Sequence, residues 1–398
     1  MNKRNIFSVV VLLAPYVFSF AFALDVYVPS IPQIMRELSA SQNSVQLTLS
    51  IFIFVVGLGQ LLIGPFSDQI GRRVIGLVSA MVFAFGSLLC AIATNIEFLI
   101  MARVIEALGG CGMMVIPMAM VRDMFSENEA AKVYSFLNCG IAMSPLFAPI
   151  IGSYLAEWFG WRAGFIFLLI LGLTAFAFGL LKFDETLAME KRIRVSRDIF
   201  RRYAVILRNA EFLTFSVIAL SAISVFFTFF SVSPYIIINL LHTPVQYFGF
   251  YFFLVGFTFF IGSLISGKLV ERAGVFKTVA LGVIILLLSA LLMLFWYLFF
   301  GMSLAEFVVP SMAAVFGCAF MIGACAGGAM QPFPHMAGSA AAALGAIQFV
   351  GAAIIGDITL LWQVRSTMSY NITMLAVASI SILALLYYKL ITLHKGVE

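Results

Sequence analysis

The run Gly64-Pro65-Phe66-Ser67-Asp68-Gln69-Ile70-Gly71-Arg72-Arg73 is a short charged turn between two apolar stretches, 43–66 and 74–94. Each stretch matches the roughly 20 mostly apolar residues that a helix needs to cross a bilayer. The same rhythm runs the length of the 398-residue chain, in which 63% of residues are hydrophobic and 10% charged, with a mean hydropathy of +1.10. A soluble chain carries about 45–50% apolar and roughly 25% charged residues. Too little polar side chain is present to coat a globule of this size. That excludes a soluble enzyme, a disordered tail protein and a nucleic-acid binder built on a basic domain.

Reading outward by punctuation and charge places spans near 6–36, 43–66, 74–94, 98–121, 131–155, 162–182, 212–239, 245–270, 276–298, 303–330, 336–360 and 368–391, twelve in all. The runs are continuously apolar, whereas barrel strands alternate over segments of about 10 residues. An all-α integral membrane protein is expected. The start, Met1-Asn2-Lys3-Arg4 followed by an apolar run to Ala23, imitates a cleavable signal. It continues past Asp25 into a Pro-punctuated helix end and is read as the first span.

Orientation follows from Lys and Arg, which favour the cytoplasmic side. With the N-terminus inside, 19 of the 23 fall on cytoplasmic ends and loops, three (Arg36, Arg162, Arg365) fall outside, and Arg103 lies within a span. Both termini are therefore expected in the cytoplasm, and the net charge of +5 is a topology signal rather than a nucleic-acid footprint. The longest polar stretch, 184–211, holds Lys191, Arg192, Arg194, Arg197, Arg201, Arg202 and Arg208. It is read as a solvated basic linker between a six-span bundle at 1–183 and a second at 212–398. Binding of anionic lipid headgroups is the other reading.

The charged turn has an echo. Gly64, Asp68 and Gly71 recur as Gly267, Glu271 and Gly274, offset by 203 residues, and Ala148-Pro149-Ile150-Ile151-Gly152 recurs as Ala352-Ala353-Ile354-Ile355-Gly356, offset by 204. Two echoes at nearly one offset make the second six spans a repeat of the first. Parallel repeats are an architecture of secondary transporters, with substrate held near mid-membrane between the halves.

With these motifs in view, the sequence resembles the major facilitator superfamily, in its twelve-span drug:proton antiporter group and, more narrowly, the Bcr/CflA drug-resistance branch. The similarity runs nearly end to end. It is carried by Leu24-Asp25-Val26-Tyr27-Val28-Pro29 closing span 1, the 64–73 turn, and Arg103-Val104-Ile105-Glu106-Ala107-Leu108-Gly109-Gly110 with Arg122-Asp123 in span 4. Pro145-Leu146-Phe147-Ala148-Pro149-Ile150-Ile151-Gly152 in span 5 and Gly338–Phe349 in span 11 complete it. Gln69 replaces a usual basic residue, Glu106 a usual Gln, and Ser153 a second Gly. The resemblance implies two pseudo-symmetric six-helix bundles. It also implies a cytoplasmic gate at Gly64, Asp68, Gly71, Arg72 and Arg73, an antiporter helix marked by Pro145, Pro149 and Gly152, and a part for Arg103 in proton handling.

Asp25 lies inside span 1. An ionised carboxylate in hydrocarbon is costly, and intramembrane acids commonly mark ion or proton paths. Asp25 is accordingly a candidate proton carrier competing with a cationic substrate; an interfacial acid held by Tyr27 is the plainer reading. Arg103 and Glu106 are three apart and share a helix face. They either take part in proton coupling with Asp25 or neutralise each other. In the gate turn, glycines permit positive φ, and Asp68 is read as an acid favoured by the dipole of a helix N-terminus. The prolines of span 5 are expected to kink it.

Most of the 42 Phe are expected to face lipid or pack. A mostly apolar pocket with a few polar groups has Met113, Asn138, Met143, Phe230, Tyr235 and Gln348 as candidate lining residues. Asp357 and Glu306 are expected at interfaces near outer helix ends. The five Cys and three His show no metal-binding or redox spacing, and no phosphate-binding loop points to ATP, so neither metal nor cofactor is expected. The function expected is proton-coupled export of small amphipathic compounds across the inner membrane by a monomer among lipids, with no nucleic-acid partner. A dedicated carrier of one metabolite, such as a siderophore or amino acid, is the alternative within transport. A membrane sensor or enzyme is the alternative outside it.

Overall fold

A computed structural model of the chain describes residues 6–125, 127–187, 189, 192, 198–333, 336–360 and 366–395, with some side chains within helices also outside the description. Among the described residues there is no strand. The chain separates into two compact units, Met1–Ser196 and Arg197–Glu398, with the division inside the 184–211 stretch.

The first unit holds α1 (Ile6–Asp25), a 3-10 turn at Val28–Ser30, α2 (Ile31–Glu37), α3 (Gln42–Ile70), α4 (Arg72–Ala91), α5 (Ile96–Met124), α6 (Glu127–Phe159) and α7 (Arg162–Lys182). The second holds α8 (Asp198–Leu207), α9 (Ala210–Pro234) continued by a π-helical turn at Tyr235–Leu240, α10 (Val245–Ala273), α11 (Val275–Phe300), α12 (Leu304–Met330), α13 (Ala337–Leu360) and α14 (Met368–Lys395). Among the described residues, eleven helical stretches are long and apolar enough to cross a membrane, with α1 and α2 counting as one. The remaining expected span, 131–155, lies within the 33-residue α6.

Local chemistry sets these boundaries. Side-chain oxygens of Ser41, Asn95, Asn209 and Ser303 accept the N–H groups of Ser44, Phe98, Phe212 and Glu306, satisfying orphan donors at the starts of α3, α5, α9 and α12. Pro29 and Pro32, which lack an N–H, fall in the first turns after α1 ends. The two echoed turns share one backbone device: Gly71 between α3 and α4 has φ +121°, and Gly274 between α10 and α11 has φ +84°. Only glycine enters that region without steric cost.

Within the first unit α4 packs on α5 and α7, α3 on α5, and α1 on α6 and α7. Within the second, α9 packs on α12, α13 and α14, and α11 on α12 and α14. The outward faces carry large apolar side chains such as Phe7, Leu181 and Phe299, suited to lipid. With no hydrophobic gain from helix association in lipid, close packing and buried hydrogen bonds hold such bundles together. In the basic stretch, Arg201 and Arg202 are exposed on the ten-residue α8 while Ile206 is buried.

Candidate functional site: buried charges of the first unit

Asp25 is the last residue of α1 and is only 3% exposed. Its Oδ2 accepts a 2.7 Å hydrogen bond from Ser144 Oγ on α6, and its Oδ1 has no partner among the described residues. The approach of α6 to α1 explains this meeting. A Cβ at Gly152 would overlap the Val26 carbonyl oxygen, so only glycine lets α6 lie this close to the end of α1. Pro145 and Pro149 lie inside α6 as expected, and Ser153 Oγ donates to the Pro149 carbonyl at 2.7 Å.

Arg103, on α5, is fully enclosed. Its Nη1 lies 2.6 Å from Glu106 Oε2 one turn on, its Nε donates to the Thr48 carbonyl at 3.2 Å, and both Nη atoms donate to the Ala23 carbonyl at 3.4 and 3.3 Å. The guanidinium sits 4.5 Å from the Tyr27 ring centroid and 4.2 Å from that of Phe52, close enough for cation–π attraction. Glu106 is also fully enclosed; its Oε1 accepts from Ser87 Oγ at 2.7 Å. Here the residue that departs from the resembled motif is the counter-ion of the buried arginine. Arg103 makes no ion pair with Asp25; its guanidinium reaches the backbone two residues earlier.

The gate turn forms a second cluster. Arg72 is buried at the start of α4, pairs with Asp68 and donates to Ser67, and its Nε donates to Asp123 Oδ2 at 2.9 Å. One expectation needs correcting. Asp68 lies in the last turn of α3, where the helix dipole disfavours an acid, and Arg72 is what offsets it. The acid at the α4 N-terminus is instead Glu185, whose carboxylate accepts the backbone N–H groups of Arg72 at 2.9 Å and Arg73 at 3.4 Å. Arg192 pairs with Glu185 at 3.5 Å, and Arg73 donates to the Leu180 carbonyl. Gly64 stands in open space, and the echoed turn at Gly267–Gly274 carries no ion pair among the described residues.

The candidate pocket residues scatter. Met143 lines an apolar cavity of about 170 Å³ with Val17, Phe18, Phe136 and Gly140. Met113 is enclosed in the first unit's core, Phe230 packs on Phe226 and Phe252, and Tyr235 and Gln348 are half-buried. The Asn138 side chain lies outside the described residues. Glu306 lies in the first turn of α12, near a helix end, and its side chain is buried although Ala305 beside it is exposed. Among the described residues no group of three or more His, Cys, Asp or Glu is placed to hold a metal, and Cys90, Cys111, Cys318 and Cys325 are buried free thiols. Sequence reasoning missed Ser144 and Glu185. The first adjoins Pro145 and the second opens the basic stretch, but nothing local names their partners, 119 and 113 residues away.

Residues 13–356 match the model of the Major Facilitator Superfamily. Over 92% of each chain, this protein is 30% identical to a bicyclomycin resistance protein homolog of Haemophilus influenzae. It is 27% identical to a chloramphenicol resistance protein of Pseudomonas aeruginosa, covering 85% of this chain and 80% of that one. It is 28% identical to multidrug resistance protein D of Escherichia coli, covering 90% and 89%. Among solved structures, a POT family transporter in complex with a thioalcohol conjugated peptide superposes with a TM-score of 0.77 over 96% of both chains at 12% identity, which speaks to the fold alone. The relatives are transporters rather than enzymes. Apolar helices in two units, a turn built twice on a positive-φ glycine and the match along most of the length converge: this chain is a multi-pass membrane transporter of the major facilitator superfamily.

Proposed function

We propose that this transporter exports small amphipathic compounds in exchange for protons by alternating access, from an inner membrane with both termini in the cytoplasm. One observation carries the reading. Asp25 is buried with a single hydroxyl donor and one bare oxygen, while the buried arginine of the same unit is committed to Glu106. A carboxylate without a cation in such a place is costly unless it takes up a proton or meets a cationic group of a substrate. Proton and substrate then compete for Asp25, which is the minimum that exchange requires.

The surrounding residues have parts in this scheme. Ser144 ties the charge state of Asp25 to α6, the helix that Gly152 seats against α1. A hydrogen bond to an ionised group is stronger than one to a neutral group, so protonation loosens the link between the two helices. Arg103 and Glu106 act as a neutral pair that orients the end of α1 through the Ala23 carbonyl. The Asp68–Arg72–Asp123 cluster, with Glu185 across the start of α4, latches the cytoplasmic side. The names of the bicyclomycin, chloramphenicol and multidrug resistance relatives support drugs as cargo.

The test is transport of chloramphenicol and a panel of amphipathic drugs into inside-out liposomes under an imposed pH gradient. Asp25→Asn is expected to purify in the wild-type yield and to lose gradient-driven uptake. Full uptake by that variant would refute the assignment.

A further inference from the structure

Among the described residues two carboxylates share one unusual arrangement, and the mechanism above uses only the first. Glu306, in the first turn of α12, has no exposed surface. Its Oε1 accepts a 2.9 Å hydrogen bond from Thr367 Oγ1, and its Oε2 has no partner among the described residues. Asp25 repeats the pattern in the other unit, with Ser144 as donor and Oδ1 bare.

The residue after Glu306 is held in an aromatic cluster. This residue, Phe307, stacks on Phe229 of α9 at 5.6 Å between ring centroids and meets Tyr370 of α14 at the same distance. The titratable side chains near this end of the packed helices are Asp357 of α13, Tyr370, Tyr235, Tyr247, Tyr251, Tyr297 and His242, and the side chain that bonds the Glu306 carboxyl among the described residues is Thr367. The turn at Gly301 puts the start of α12 at the end of α11 remote from Arg272 and Lys277. Arg365, the basic residue closest in sequence to Thr367, lies outside the described residues.

We propose that Glu306 is a second proton-binding site, so that each of the two units carries one such protonatable carboxylate. This deepens the proton-exchange reading and rests on it. The Ser303 Oγ already accepts the Glu306 N–H, leaving the helix dipole, Thr367 and the backbone N–H of Ser303 as the support for a charge. An ionised carboxylate buried with neutral donors and no cation is far costlier than a neutral acid with one unpaired O–H. In the buried state the proton sits on Oε2; when the first turn of α12 opens to water, the O–H bond breaks, the proton passes to water, and the carboxylate is left on the helix N-terminus, whose dipole favours it.

Infrared difference spectroscopy of the purified full-length protein, titrated from acid to alkaline pH, tests this. The probe is the proton itself. Above the pH range in which exposed carboxyl groups ionise, the wild type is expected to keep two carbonyl bands of protonated carboxyl groups; Glu306→Gln removes one and Asp25→Asn the other. Thr367→Val, which keeps the Glu306 carboxyl and removes its donor, is expected to shift only the Glu306 band, and it answers the question if the first variant does not purify. A Glu306→Gln spectrum that loses a carboxylate band instead overturns the proposal. So does a protonated Glu306 band that arises only in Arg365→Gln, which would make Glu306 half of an ion pair. If the Asp25 band titrates while Glu306 shows none, this inference fails and the proton-exchange reading stands. If neither titrates, both fail.

Discussion

Arg103 and Glu106 lie one turn apart on α5 with nitrogen and oxygen 2.6 Å from each other, both fully buried, and the pair leaves Asp25 to a serine. Replacing either partner leaves a single charge without compensation in the bundle, at about 3–5 kcal/mol, whereas an apolar replacement of both is often neutral or stabilising. Arg103→Met and Glu106→Met are therefore each expected to lower unfolding stability in detergent by several times more than the double variant does. Additive losses in a denaturant titration would count against the pairing.

Ser144 is the one donor to Asp25 among the described residues. A hydrogen bond to a charged group is worth about 1.5–3 kcal/mol, and each 1.4 kcal/mol is about tenfold in a rate. Ser144→Ala is expected to slow proton-driven drug uptake about tenfold or more, and Ser144→Thr, which keeps the hydroxyl, to restore most of it. Equal rates in all three proteins would remove Ser144 from the mechanism.

Glu185 caps α4 from a position that follows α7. Loss of a helix cap costs roughly 0.5–2 kcal/mol, and local opening shows directly in amide exchange. In Glu185→Ala the amides of Arg72 and Arg73 are expected to exchange about tenfold faster by mass spectrometry, while amides in the middle of α5 keep their rates. Unchanged protection at the start of α4 would mean that the carboxylate does not hold it.

The two echoed glycines separate backbone strain from contact. An alanine at Gly274 meets nothing within 4 Å and bears only the penalty of its positive-φ, extended backbone, about 1–3 kcal/mol. An alanine at Gly71 bears that penalty and also collides with the Glu185 carboxylate. Gly71→Ala is expected to lower the melting temperature more than Gly274→Ala, and Gly71→Ala combined with Glu185→Ala to recover part of the difference. A larger drop for Gly274→Ala would contradict this account.

Much of the fold was legible in the order of residues. Hydropathy located the spans, because about 20 apolar residues in a row have few stable homes outside a bilayer. The echo of Gly64–Gly71 in Gly267–Gly274 pointed to the duplicated turn, since glycine at a positive φ is a local requirement that needs no distant partner. Asp25, Arg103 and Glu106 stood out as charges within apolar runs, and spacing alone put the last two on one helix face.

What the order of residues did not determine is who meets whom. Whether Arg103 serves Asp25 or Glu106, which hydroxyl holds Asp25, which acid tops α4 and whether Glu306 sees water all depend on how helices lie against one another. A hydrogen bond is decided over about 3 Å, while neighbouring helix axes stand 8–10 Å apart and can slide or turn by a residue. Only the packed bundle, with α6 seated on α1 at Gly152 and Phe307 of α12 set against Phe229 and Tyr370, turns those charges into particular pairs.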